Sequence, residues 1–174
     1  MPRKLHIGGI EKREGWEILN AIQSPDVDHF GNANDLSQFE DNSFAEIYAS
    51  HIVEHLDYKD EIQNTLKEWF RVLEPKGKLL ISVPDMDILC QLFLLKDEIN
   101  TEDKFRLMRM MFGGHLDKYD YHYVGLNGEF LHSYLHYAGF TNIKKVKEFD
   151  LFSDDSKSTF KGIPISLNVV AEKA

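Results

Sequence analysis

The sequence has a single cysteine, Cys90, so no disulfide can form within the chain and a reducing compartment suits it. It has no long hydrophobic run. The longest, Ile88 to Leu95, is interrupted by Gln91 and falls far short of the ~20 residues that cross a bilayer. The opening Met1-Pro2-Arg3-Lys4 leads into apolar residues soon broken by Gly8-Gly9. That does not read as a signal peptide, and a cytoplasmic setting is the expectation. Positive charge is also short: 20 Lys and Arg against 29 Asp and Glu give a net charge of −9. A surface of that sign repels phosphate backbones and anionic lipid headgroups, so neither nucleic acid nor a membrane is an expected partner. No repeat and no low-complexity tract is visible.

What remains is ordinary globular material. The 174 residues are 43% hydrophobic and 28% charged, enough for one domain with its own core. Strand-like and helix-like stretches alternate, which predicts an α/β sheet. Short strands are expected at 5–7, 16–20, 27–30 and 45–50. Ile62, Leu66, Trp69, Phe70 and Leu73 recur at spacings of three and four and predict a helix over 60–73, ended by Pro75 and Gly77. Residues 78–83 (KLLISV) then read as a buried strand closed by Pro84-Asp85. Two helical patterns, 86–97 and 102–112, lead into an aromatic loop, so residues 86–126 read as a lid-like insertion in a single domain spanning 1–174. Phe130, Leu131, Tyr134 and Leu135 mark another helix with Gly139 as its cap. Two last strands, 142–149 and 164–172, have no helix between them, which predicts an antiparallel edge on a mostly parallel sheet.

In an open parallel sheet, ligands bind beyond the carboxyl ends of the strands. That rule singles out Gly8-Gly9, Asn20, Asn34-Asp35, Ser50-His51 and Pro84-Asp85, each at a strand end or in the loop after it. A glycine pair after the first strand lets backbone approach a ligand closely. With these residues in place, the chain resembles the class I S-adenosylmethionine (SAM) dependent methyltransferases, and within them the small predicted methyltransferases found beside surface-polysaccharide genes. The segments that carry the resemblance are KLHIGG at 4–9, GWEILN at 15–20, FEDNSFAEIYASHIVEHL at 39–56, EWFRVLEPKGKLLISVPD at 68–85, FGGHLDKYDYHYVGL at 112–126 and GIPISLNVVAEK at 162–173. It implies a Rossmann-like sheet of seven strands with helices on both faces, the helix after the first strand being squeezed out of residues 10–15. It implies SAM as cofactor, with Gly8 and Gly9 at its methionine part, Asn20 at the ribose, Asn34, Asp35 and Leu36 beside the adenine, and Ser50 and His51 near the methyl group. Two positions depart from the family pattern: Ile10 stands where a third small residue is usual, and Asn20 where a carboxylate is usual.

His51-Ile52-Val53-Glu54-His55 also fits the H-x-x-E-H pattern of inverted zinc proteases. That chemistry needs both histidines on one long helix. Here a strand runs directly into His51, so no zinc is expected at His51, Glu54 and His55, and Glu54 and His55 read as surface or supporting residues of a short helix. In the aromatic loop, Asp120-Tyr121-His122 lies where an acceptor would be recognised, or else Tyr119, Tyr121 and Tyr123 only cover apolar surface. Met108, Met110 and Met111 read as packing of the insertion helix.

The expected reaction is methyl transfer from SAM to a small-molecule or sugar hydroxyl, with His122, His51 or Asp85 taking the acceptor proton. The polysaccharide link and the sugar rest on the resemblance alone. A different class, a degenerate SAM-binding module or the non-catalytic partner of an active subunit, stays open beside it. A homodimer is also left open.

Overall fold

The structure, a computed structural model, describes residues 2–174. The elements follow the chain as β1 (Lys4–Ile7), β2 (Glu17–Asn20), β3 (His29–Phe30), β4 (Phe44–Ser50), α1 (Glu61–Val72), β5 (Leu73–Pro84), α2 (Met86–Leu94), α3 (Thr101–Phe112), α4 (Gly128–Ala138), β6 (Phe140–Val146), β7 (Thr159–Phe160), β8 (Ile163–Pro164) and β9 (Ser166–Lys173). Seven strands form one sheet in the order β3-β2-β1-β4-β5-β9-β6. The five strands from β3 to β5 pair in parallel, while β9 is antiparallel to both β5 and β6. The antiparallel strand expected at the edge therefore lies one place in from it, and β6 is the edge. The strand order reverses between β1 and β4, the point where a ligand crevice forms in such sheets.

Side chains alternate across each strand. Leu5, Ile7, Ile47, Ala49, Leu79, Ile81, Val83, Leu167 and Val169 point to one face, where they meet Ile62, Leu66, Trp69 and Val72 of α1 and Leu131 and Leu135 of α4. These α1 residues are fully buried, each worth ~1.5–3 kcal/mol of transfer free energy. The helix ends at Val72 because the chain needs an extended Leu73 to enter β5. Lys173 Nζ then takes up the freed carbonyls of Phe70 (2.7 Å) and Leu73 (2.7 Å). Between Leu73 and Lys78 the chain bulges out of register, so the Pro75-Gly77 turn is a kink inside one strand instead of a stop.

The opposite face corrects the expectation of helices on both sides. No helix lies between β1 and β2, and over the middle strands the cover is a loop. Trp16, Tyr48, Leu80 and Phe152 form its buried cluster, with Phe149 and Leu151 packed on it. Helices α2 and α3 have their own small core, Leu89, Leu92, Ile99 and Leu107 with Phe160 and Ile165, on which Met110 and Met111 rest. Among the described residues, no helix is long and apolar enough to cross a membrane.

Candidate active site

Two clefts open at the carboxyl ends of the parallel strands. The first, of about 380 Å³, is lined by Gly8, Asn20, Asn34, His51, His55 and Tyr119, among others. The second, of about 540 Å³, lies across Gly8 and His51 from it and adds Gly9, Ser50, His6, Glu11 and Asp154. Gly8, His51 and Ile52 belong to both walls.

Each wall residue is placed by a local cause. Gly8 has φ +75°, and a Cβ there would overlap the Ile52 side chain, so only glycine closes the turn after β1. A Cβ at Gly9 would overlap the His6 ring. The loop 31–34 is held from below by Trp69, whose indole Nε1 donates to Ala33 O at 2.8 Å. Asn34 Nδ2 donates to Glu61 Oε1 at the start of α1. Asn20 lines the cleft but spends its amide on the protein: Nδ2 donates to Gly9 O (3.0 Å) and Oδ1 accepts from Ile22 N (2.8 Å). It braces the two loops against each other.

His51 follows the last residue of β4 with φ +54°, a left-handed conformation that is strained for a side-chain-bearing residue. Its amide, donating to Ser82 O at 2.9 Å, fixes it there. Its ring Nδ1 lies 3.2 Å from Glu54 Oε1 and its Nε2 lies 3.1 Å from Ser166 Oγ. Burial works to push the His51 imidazole down, but the Glu54 carboxylate beside it wins and holds it above its ordinary value. Burial likewise works to raise Glu54, and the closeness of His51, His55 and His122 outweighs it and holds the carboxyl below its ordinary range.

Glu54, expected as a surface or a supporting residue, is a supporting one, set behind His51. It stands in a short 3-10 turn, Val53–His55, where a short helix is expected, and it is only 1% exposed. Nothing in its own sequence window marks it, because its burial depends on the loop that returns from α3. In that loop Tyr123 N donates to Glu54 O (2.8 Å), and the His55 ring contacts Tyr121 O through Nδ1 (3.1 Å). His122 packs edge-on against His55, with ring centroids 4.8 Å apart. Burial, with the neighbouring imidazoles, keeps His122 below the ordinary histidine value against the pull of Glu54. Asp120 does not orient His122. Its carboxylate accepts from Leu116 N and Gly114 N and so folds the loop.

Other expected site residues stand elsewhere. Asp85 caps α2, accepting from Ile88 N, and faces Lys145 Nζ at 3.3 Å. It lines neither cleft. Asp35 is exposed and accepts from Ser37 N, and Leu36 is buried in the core; Asn32 and Ala33 line the first cleft in their place. Ile10 is 82% exposed, so its branched side chain does not crowd the glycine turn. Ser50 lines the second cleft, with its hydroxyl buried and unpartnered. The H-x-x-E-H residues run from the end of a strand into a 3-10 turn, not along an α-helix.

Residues 19–81 match a family model described as a methyltransferase domain. Solved structures agree in fold. A SAM-dependent methyltransferase from Archaeoglobus fulgidus superposes with a TM-score of 0.62 at 16% identity, over 99% of this chain and 86% of that one. A possible exported protein from Bordetella parapertussis gives 0.60 at 11% identity, over 99% of this chain and 62% of that one. The chain thus spans less than two thirds of the Bordetella protein's length. Phosphoethanolamine N-methyltransferase 2 of Haemonchus contortus, in complex with S-adenosyl-L-methionine, gives 0.57 at 16% identity, over 99% of this chain and 48% of that one. No curated protein matches the chain. The fold is the Rossmann-like fold of class I SAM-dependent methyltransferases.

Proposed function

We propose that the chain is a SAM-dependent methyltransferase that carries the sulfonium methyl to a hydroxyl of a small molecule or sugar. The observation that carries this reading is His51: one imidazole in the wall shared by two clefts, backed by a buried carboxylate 3.2 Å away. SAM belongs in the first cleft, with its methionine part against Gly8 and its adenine end toward Asn32 to Asn34. The acceptor belongs in the second. The acceptor oxygen attacks the methyl carbon, the carbon–sulfur bond breaks, and the sulfonium becomes the neutral thioether of S-adenosylhomocysteine. At rest Nδ1 faces Glu54 and Nε2 faces Ser166 Oγ, whose own proton goes to Asp155 O, so Nε2 turns from Ser166 and gives up its proton before it takes the acceptor's. Alignment of oxygen, methyl and sulfur supplies the rest. His122 stands one ring behind, packed on His55, and supports the loop over this wall. The net charge of −9 argues against a nucleic-acid acceptor, and a cytoplasmic site of action fits the lone cysteine.

One observation favours a second reading, a SAM-binding module without turnover. The usual ribose carboxylate is replaced by Asn20, whose amide is already engaged at both ends. Calorimetric titration with SAM and S-adenosylhomocysteine, followed by a methyl-release assay on a panel of sugars and small alcohols, separates the two. Binding with turnover is the expected result. Binding without turnover on any acceptor supports the module, and no heat with either nucleoside refutes both.

A further inference from the structure

Glu54 is buried to 1% exposure, and neither of its carboxylate oxygens accepts a hydrogen bond. A buried carboxylate in that state is costly unless cations or donors close on it. His51 approaches one oxygen. The other groups nearby are His55 and His122, and ligand atoms of Glu54, His55 and His122 all lie within 4.8 Å of one another. These three come from two segments distant in sequence, the 3-10 turn after β4 and the loop after α3. The amide of Tyr123 bonded to Glu54 O holds the segments together.

The surroundings suit metal ligation. His55 Nδ1 faces the Tyr121 carbonyl at 3.1 Å and must donate to it, which leaves the lone pair on Nε2. Metal-binding histidines are oriented in this way, by giving the other ring N–H to a carbonyl. Two imidazoles and one carboxylate on one side of an ion match the His₂Glu set of zinc sites that keep an open position. A tetrahedral ion with bonds of ~2.0–2.2 Å spaces its ligands about 3.4 Å apart, and side-chain rotation spans the difference from the distances seen here.

We propose that Glu54, His55 and His122 form a binding site for a divalent first-row transition ion, with Zn²⁺ the ion that the ligand chemistry suits best. Sequence alone argued against zinc on the helical H-x-x-E-H pattern. The structure uses two residues of that pattern, but its third ligand is His122 from the returning loop, and His51 is left to the cleft. Because His55 also lines the first cleft, the ion stands in its wall and ties the loop to the turn. The inference does not depend on methyl transfer, since the ion is read without SAM.

The test uses the full chain, stripped with a chelator and titrated with Co²⁺ while the visible d–d absorbance is followed. A one-to-one band that Zn²⁺ displaces, with a rise in thermal midpoint on adding Zn²⁺, is the expected result. His55→Ala and His122→Ala abolish both signals. His132→Ala with His136→Ala, which removes the exposed histidine pair on α4, leaves them intact. Should a ligand variant fail to fold, the ring ¹⁵N signals of the wild-type chain decide: Zn²⁺ shifts His55 and His122. The proposal is overturned by no band, by a band that survives His122→Ala, by one lost with the His132 and His136 pair, or by shifts confined to His132 and His136.

Discussion

His6 offers a sharp test of how the sheet is closed. It sits on β1, 5% exposed, with its ring 4.0 Å from that of Phe152 and edge-on to Tyr48 at 5.0 Å, and its Nδ1 has no hydrogen-bond partner. Burial pushes its imidazole down to about 4, against the weaker pull of Asp154 and Glu11. In the unfolded chain the group returns to an ordinary value near 6.5. Between those values the unfolded state binds more protons than the folded one, so stability rises with pH there and is lost as pH falls. The two values give a loss of about 2.5 kcal/mol between pH 7.5 and 4.5 from this one ring. His6→Phe and His6→Leu remove the titrating group and leave an apolar side chain. Either variant starts from its own stability at pH 7.5, because volume changes in a packed cluster cost up to a few kcal/mol. The slope is independent of that offset. Urea melts at half-unit pH steps give both curves, and both variants should lose about 2.5 kcal/mol less than wild type over that interval. Glu17 cannot mimic the effect: hydrogen bonding from Arg3 holds it at about 2, so its contribution is lost only as pH falls below the ordinary glutamate range. Parallel curves for wild type and both variants refute the buried neutral His6, and with it the loop-covered face.

Other outcomes follow from the walls of the clefts. Asn20→Asp replaces the amide that donates to Gly9 O with a carboxylate oxygen facing a carbonyl; a loss of ~1–3 kcal/mol in denaturant melts is expected, with weaker S-adenosylhomocysteine binding by calorimetry. Gly8→Ala meets Ile52 at a positive φ, so it should abolish S-adenosylhomocysteine binding and lower the thermal midpoint. Trp69→Phe keeps most of the buried ring but removes the bond to Ala33 O; stability should fall by ~1–2 kcal/mol and S-adenosylhomocysteine affinity several-fold, read from the same titration. His51→Gln should slow methyl transfer roughly 10²–10⁴-fold while changing S-adenosylhomocysteine affinity only a few-fold. A proportional loss of both would place His51 in cofactor binding instead of proton transfer.

The parallel half of the fold is legible because each strand from β1 to β5 ends at a glycine, at Asn20, at Ser50-His51 or at Pro84-Asp85, and α1 carries a clean apolar stripe. The edge is less so. β6 and β9 read as a pair, but nothing in their residues says which is outermost; that order is set by β9 pairing with β5 over Lys78 to Pro84. Among residues that line the first cleft, Gly8, Asn20, Asn34 and His51 are found from the strand ends and the loops that follow them. Asp35 and Leu36 could not be excluded that way, because a loop of consecutive polar and apolar residues has no fixed phase until Trp69 and Arg71 pin it: Arg71 reaches Leu36 O and Phe39 O, and Trp69 reaches Ala33 O. Asp85 is ambiguous for a different reason. A carboxylate at a strand end that also precedes a helix serves equally as ligand or as N-cap, and here the cap wins. Glu54 and His122 are 68 positions apart, so only the returning loop discloses that they meet.

The missing helix after β1 explains much of what is unusual here. A sheet face over β1 and β4 that exposes His6 and Tyr48 needs a cover, and residues 10–15 are too few to form one that spans it. The segment after β6 supplies it with Phe149, Leu151 and Phe152, and Tyr48 Oη donates to Asp154 at 2.8 Å to seat it. Asp154 also lines the second cleft. One loop therefore closes the core and builds a cleft wall, and both depend on the same few aromatic contacts. In a chain with a helix there, the cover and the wall are separate elements and can vary independently. Here any change to Phe152 or Tyr48 moves Asp154 as well, so the character of the second cleft is tied to the stability of the sheet beneath it.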